Sequence, residues 1–221
     1  SLIIPANTLS SGGYEVANSC RFENGSSDHL IRTISSTGNR KTFTYSVWVK
    51  RSQINTYMPI MSDVTDSGND FFTFSFENGN QFQIYSQLSG PEVIYLKTNR
   101  LFRDVSAFYH ILVAVDTTQS TESNRVKIFI NGLQETSFSN ANYPDQNTNL
   151  AINISGEKQI VGGMYDPVNN YFDGYIAEAV FIDGTSYSPT DVGEFDEDSG
   201  IFKPIDVSGL TFGTNGFYLD F

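Results

Sequence analysis

Cys20 is the single cysteine in 221 residues, so no intrachain disulfide can form and the fold must be held by burial alone. Cations are also scarce, with 13 Lys and Arg against 25 Asp and Glu and a net charge of −12. No basic stripe is present to neutralise a phosphate backbone, which excludes nucleic acid as an expected partner. The two histidines, His29 and His110, stand in no spacing that forms a metal site with each other or with the cysteine. A G-x-S-x-G nucleophile elbow and a glycine-rich phosphate loop are both missing. Long apolar runs are missing too. The opening SLIIPANTLSSGGYEV reaches Pro5 after three apolar residues and has no basic segment before them. It therefore predicts neither a cleaved signal peptide nor membrane insertion, and a chain that folds in a cytoplasm.

What the sequence does have is alternation. TFTYSVWVKR (42–51), FYHILVAVDTT (108–118), RVKIFINGLQETSF (125–138) and FDGYIAEAVFIDG (172–184) alternate apolar and polar residues, the pattern of antiparallel strands with one face buried and one wet. Further strands are expected at 19–23, 29–33, 57–62, 71–77, 81–87, 92–98, 150–154, 158–163 and 216–221. Glu77-Asn78-Gly79-Asn80 and Asn131-Gly132 predict hairpins, because Asn-Gly supplies the positive φ that a tight turn needs. Helix signals reduce to SPTDVGEF (188–195), where Ser188 is an N-cap and Pro189 the first helical residue, enough for one or two turns. Residues 1–18, rich in Gly, Ser and Asn, read as an N-terminal arm. Its Leu2, Ile3, Ile4 and Leu9 need cover, which predicts an assembly contact. Residues 19–221 show no break in composition and are expected to form one domain.

These runs resemble the laminin-G-like branch of the concanavalin-A-like jelly rolls. The continuation SPTDVGEFDEDSGIFKPIDVSGLTFGTNGFYLDF (188–221) resembles a module of structural and tail-fibre proteins of tailed bacteriophages, marine ones especially. The resemblance covers nearly the whole chain. It implies an all-β, two-sheet antiparallel jelly-roll sandwich whose first and last strands meet, so that Phe22 and Phe217 are expected in adjacent strands of one sheet. It further implies a non-enzymatic virion protein, a capsid decoration or a fibre or adhesion module, assembled in the host cytoplasm. Its partners would be other virion proteins, further copies of itself and a host-surface glycan. A glycoside hydrolase on the same scaffold is the alternative.

Four groups of residues are candidates for chemistry. Asp63, Asp66 and Asp70 offer hard oxygen ligands of the kind Ca²⁺ takes, and laminin-G-like domains often bind calcium on a loop rim; a solvated acidic loop is the other reading. Trp48 shares the more polar side of its strand with Thr44, Ser46 and Lys50, opposite Phe43, Tyr45, Val47 and Val49, and is either a sugar-stacking platform or a covered ring. The loop 164–174 gathers Tyr165, Asn169, Asn170 and Tyr171 as further ligand contacts. The run Glu194, Asp196, Glu197 and Asp198 is similar to the carboxylate strand of retaining glucanases. It lacks the alternating apolar residues that would hold it in a sheet, so no catalytic role is expected from it.

Overall fold

The computed structural model describes residues 14–65, 69–165 and 170–221. The arm residues Leu2, Ile3, Ile4 and Leu9, and with them Asp66 and Asn169, lie outside the described residues. In chain order the strands are β1 (Cys20–Phe22), β2 (Leu30–Thr33), β3 (Thr42–Arg51), β4 (Met58–Val64), β5 (Phe71–Phe76) and β6 (Gln81–Gln87). They continue as β7 (Glu92–Leu101), β8 (Tyr109–Asp116), β9 (Val126–Ile130), β10 (Leu133–Glu135), β11 (Phe138–Asn142) and β12 (Lys158–Val161). Last come β13 (Gly163–Met164), β14 (Asn170–Tyr171), β15 (Gly174–Asp183), β16 (Gly193–Phe195), β17 (Phe202–Pro204) and β18 (Phe217–Leu219). Two antiparallel sheets dominate. The first runs β1-β15-β3-β8-β9-β10 with β18 also on β15, and the second runs β11-β7-β6-β5-β4-β12-β2. This is the jelly-roll sandwich expected.

The core lies between the sheets and is rich in phenylalanine. Phe43, Tyr45, Val47 and Val49 point inward from β3 at 0–1% exposure and meet Phe72, Phe74 and Phe76 of β5. Tyr45 stacks on Phe74 with ring centroids 5.2 Å apart, and Phe43 meets Phe72 edge-on at 5.5 Å. Each such ring contributes roughly 1.5–3 kcal/mol by leaving water.

The opposite face of the first sheet is not wet, as strict alternation predicts, because the chain after β15 folds back over it. Leu112, Ala114, Val180 and Ile182 pack there against Val192, Val207, Leu210 and Phe212 in a second apolar layer. The helix expected over 188–195 shortens to one 3₁₀ turn, Pro189–Asp191, with the Ser188 N–H donating to Asp191 Oδ2 at 2.7 Å. Gly193–Phe195 leaves that turn as a strand and pairs with Phe202–Pro204.

The Asn131-Gly132 turn forms as expected, with φ of 50° and 79°. In the other hairpin it is Asn80 (φ 70°), not Gly79, that takes the left-handed conformation. The Asn80 side chain holds it there by accepting from the Asn55 N–H at 2.8 Å and donating to Asn55 Oδ1 at 2.7 Å.

Phe22 and Phe217 share a sheet but are not in strands that pair with each other. β1 and β18 lie end to end on the same edge of β15, Phe22 opposite Gly174 and Phe217 opposite Phe181. A bulge at Ala177–Val180, where Glu178 has φ 49°, separates them. The rings of Phe22 and Phe221 still meet, 6.4 Å apart, so the two ends of the sandwich do come together.

At one end of the sandwich the sheets are joined by buried polar groups. Asp183 of β15 accepts from the Asn39 N–H (2.7 Å), the Asn215 N–H (3.0 Å) and Asn153 Nδ2 (3.2 Å). The Asn153 N–H donates in turn to Asp63 Oδ2 of β4 at 2.8 Å, and Gln159 lies opposite Asp63 in register. Asp63 is sealed from solvent, and burial pushes its carboxyl up to about 7; burial, then the charge of Asp63, takes Glu157 to about 7 as well.

A carboxyl raised on folding binds more protons in the native than in the unfolded chain between about pH 4 and 7, so its contribution is complete below about 4 and fades as pH rises to 7. Asp63→Asn removes that dependence. Relative to the wild type, the variant should gain about 1 kcal/mol or more between pH 4 and pH 8 in urea titrations. Parallel stability profiles would contradict the buried, proton-binding state of Asp63.

Candidate functional site

A strand that sends Phe72, Phe74 and Phe76 inward turns Phe71, Thr73 and Ser75 outward. The same alternation on β6 and β7 places Gln83 and Tyr85, then Tyr95 and Lys97, on the outer face of the second sheet. That face holds an open cleft of about 360 Å³, with Tyr57, Phe71, Tyr85, Tyr95 and Tyr165 as its aromatic walls. Thr73, Glu77, Gln83 and Glu92 supply polar groups between the rings.

The rings brace one another. Tyr85 meets Tyr95 edge-on at 5.3 Å and Phe71 at 5.6 Å, and Phe71 meets Tyr165 at 6.0 Å. The Tyr57 hydroxyl donates to Met164 Sδ at 3.0 Å, and burial pushes it up to about 12. Tyr165 has φ 71°, a conformation that costs a bulky residue of order 1–3 kcal/mol and persists only where its surroundings hold it. Between the rings, Gln83 Nε2 donates to Ser75 Oγ at 3.1 Å, and Asn142 Nδ2 donates to Glu92 Oε1 at 2.7 Å. Glu77 is raised above the usual carboxylate range by burial, against the pull of Lys97 Nζ at 3.9 Å. The cleft therefore offers flat apolar faces with hydrogen-bonding groups at their edges, the combination that fits a sugar ring.

The sequence candidates do not converge on this cleft. Tyr165 lines it. Tyr171, on the short β13–β14 ribbon with Asn170, has its ring 5.9 Å from that of His29. Trp48 is on the other side of the molecule, on the outer face of the first sheet. There its half-buried ring lies 5.0 Å from His110 and stacks on Phe202 of β17 at 6.2 Å. Open clefts of about 410 and 290 Å³ flank it.

Of the proposed calcium ligands, Asp63 is fully buried and turned to Asn153, and Asp70 accepts a hydrogen bond from the Ser89 N–H. A sealed carboxyl that burial lifts to about 7 does not fit a ligand on a solvent rim. Among the described residues no group of three His, Cys, Asp or Glu is placed to hold a metal.

The acidic run after Pro189 has sheet support that its sequence did not announce, since Glu194 sits on β16. Lys203 Nζ lies 3.3 Å from both Glu194 and Asp196. Ser199 donates its N–H and hydroxyl to Asp196 Oδ1 at 2.9 Å each, holding that carboxyl down at about 2. Such a group stays ionised and cannot serve as a general acid. His110 is buried, with Nε2 2.8 Å from Ser46 Oγ, and burial pushes it down to about 3.

Tyr57, Tyr85, Tyr95, Glu77 and Glu92 are site residues that the sequence reading missed. The signal was there in QFQIYSQ (81–87) and EVIYLKT (92–98), where period-two alternation sets Tyr85 and Tyr95 opposite Phe82, Ile84, Ile94 and Leu96.

The fold is that of a concanavalin A-like sandwich, and sequence comparison agrees. Residues 24–192 match the family described as the concanavalin A-like lectin/glucanases superfamily, to which the chain belongs. No curated protein sequence matches it. Among solved structures it is similar to the heptameric SAP-like pentraxin of Limulus polyphemus, with 12% identity and a TM-score of 0.53 over 76% of each chain. It is similar too to domain 4 of AbnA, an extracellular arabinanase of Geobacillus stearothermophilus solved with arabinotriose. That match has 18% identity and a TM-score of 0.51, covering 78% of this chain and 69% of the other. The enzymatically active domain of bacteriophage CBA120 tailspike protein 2 aligns with 12% identity and a TM-score of 0.51, over 78% of this chain and 26% of that one.

Trp48 is the only tryptophan, so its fluorescence reports on its own surroundings. Phe202→Ala should red-shift the emission and cost about 3 kcal/mol or more, whereas Tyr85→Ala should leave the emission unchanged. A shift in the Tyr85 variant would contradict the placement of the two rings on opposite faces.

Proposed function

We propose that this chain is a glycan-binding module that takes its ligand in the cleft on the outer face of the second sheet. The observation that carries the reading is the set of five aromatic rings around one open cleft, interleaved with Gln83, Thr73 and two carboxylates. Membership of a lectin-type family supports it. The first sheet's outer face is a weaker choice, because the chain after β15 covers Leu112, Ala114, Val180 and Ile182 and stacks Phe202 on Trp48.

We further infer a place for the module on a tailed-phage particle, where it would meet host-surface glycans as a decoration or fibre component. The support is the resemblance of residues 188–221 to phage structural modules. Tracing the chain in electron microscopy of intact particles tests that placement, and particles that lack the chain would exclude it.

A hydrolase remains a second reading because Glu77 and Glu92 border the same cleft and burial raises Glu77, which suits a general acid. Binding without cleavage is expected. On a glycan array the wild type should bind, and Tyr85→Ala should weaken binding about tenfold, a stacked ring being worth about 1 kcal/mol or more. Trp48→Ala should leave binding unchanged. A blank array would remove the glycan reading, and turnover that disappears in Glu77→Gln would replace it with the hydrolase.

A further inference from the structure

Resting on the reading of the cleft as a glycan site, we propose that its ligand is an amino-bearing glycan, one whose sugars carry free, protonated amines, and that the cleft rejects acidic sugars. Of the described residues that line the cleft, two are carboxylates, Glu77 and Glu92, and none is cationic. Lys97 offsets one of them from 3.9 Å. Asn142 binds Glu92 Oε1 and, being neutral, leaves its charge in place.

Glu92 acts on the rings of both Tyr85 and Tyr95, and Glu77 on that of Tyr95. Burial first, and then the charge of Glu92, raises the Tyr85 hydroxyl; burial, then Glu77 and Glu92, raises that of Tyr95. The negative field therefore falls on Tyr95 and its edge-to-face partner Tyr85, at one end of the ring series that continues through Phe71 to Tyr165. A cation is attracted to the face of a tyrosine ring and, independently, to each carboxylate. An amine on a stacked sugar gains from all three. A uronate or sialic acid carboxylate placed there meets the like charge of Glu92 and that of Glu77, the latter partly offset by Lys97, on a protein whose net charge of −12 repels it at longer range as well. A neutral N-acetylated sugar keeps the stacking and loses only the ionic part.

The test is calorimetric titration of the full chain with tetramers of glucosamine, N-acetylglucosamine and galacturonic acid, at low and at high salt. The glucosamine tetramer should bind about tenfold more tightly than its acetylated form at low salt, with the gap closing at high salt, and the galacturonic acid tetramer should not bind. Glu77→Gln with Glu92→Gln should level the first two ligands while keeping the neutral one, and unchanged Trp48 emission confirms that the variant is folded. Equal binding of all three ligands, or preference for the acidic one, with loss in Tyr85→Ala, would overturn the amine preference and leave the glycan site standing. Binding of none of the three, or binding indifferent to Tyr85→Ala, would remove the underlying glycan reading and this proposal with it.

Discussion

Strand alternation is the constraint on which the rest of the molecule depends. A core filled by Phe72, Phe74 and Phe76 on one side and Phe43, Tyr45 and Val47 on the other fixes which residues of every strand must face outward. Each sheet then has an outer face to dispose of. The first sheet carries Leu112, Ala114, Val180 and Ile182 outward and buries them under the returning chain. The second carries a mixed set, Thr73, Ser75, Gln83, Tyr85 and Tyr95, and its outer face holds the ring-lined cleft. The proposed binding function rests on that division, because a binding surface needs rings that are held firmly yet left accessible.

The polar cluster at one end of the sandwich keeps the two sheets in a fixed relation. Asp183 belongs to the first sheet and Asp63 to the second, and Asn153 bonds to both. Buried polar groups are costly wherever a partner is lacking, so these links join the sheets without adding much net stability. Arg32, on β2, extends the network by donating to Gln159 Oε1 and to the Asn215 carbonyl while lying over the Phe217 ring. The position of β18 is tied to the same group of residues.

The architecture was legible because its signals are local. Period-two runs, an Asn-Gly turn and the absence of any long helical pattern lead directly to an antiparallel sandwich, and the inward face of β3 follows from its sequence alone. What could not be read is what covers an outer face. For Trp48 the sequence left a stacking platform and a covered ring both open, and the ring that stacks on it, Phe202, stands more than 150 positions later in the chain; no local pattern encodes such a contact. Asp63 opens an acidic loop and so read as a calcium ligand or a solvated side chain, whereas the register of β4 with β12 draws it inside, opposite Gln159. The cleft itself was half legible. Tyr165 stood out in a loop, while Tyr85 and Tyr95 required the alternation of β6 and β7 to be followed to their outward positions.

The claim at the centre of this account is that ligand binds across the outer face of the second sheet. Hydrogen exchange of the backbone amides, with and without a bound oligosaccharide, tests it most directly. The account predicts slowed exchange along residues 71–76, 81–87 and 92–101, with the strands beneath Trp48 unaffected. Protection confined to β16, β17 and the surroundings of Trp48 would contradict it.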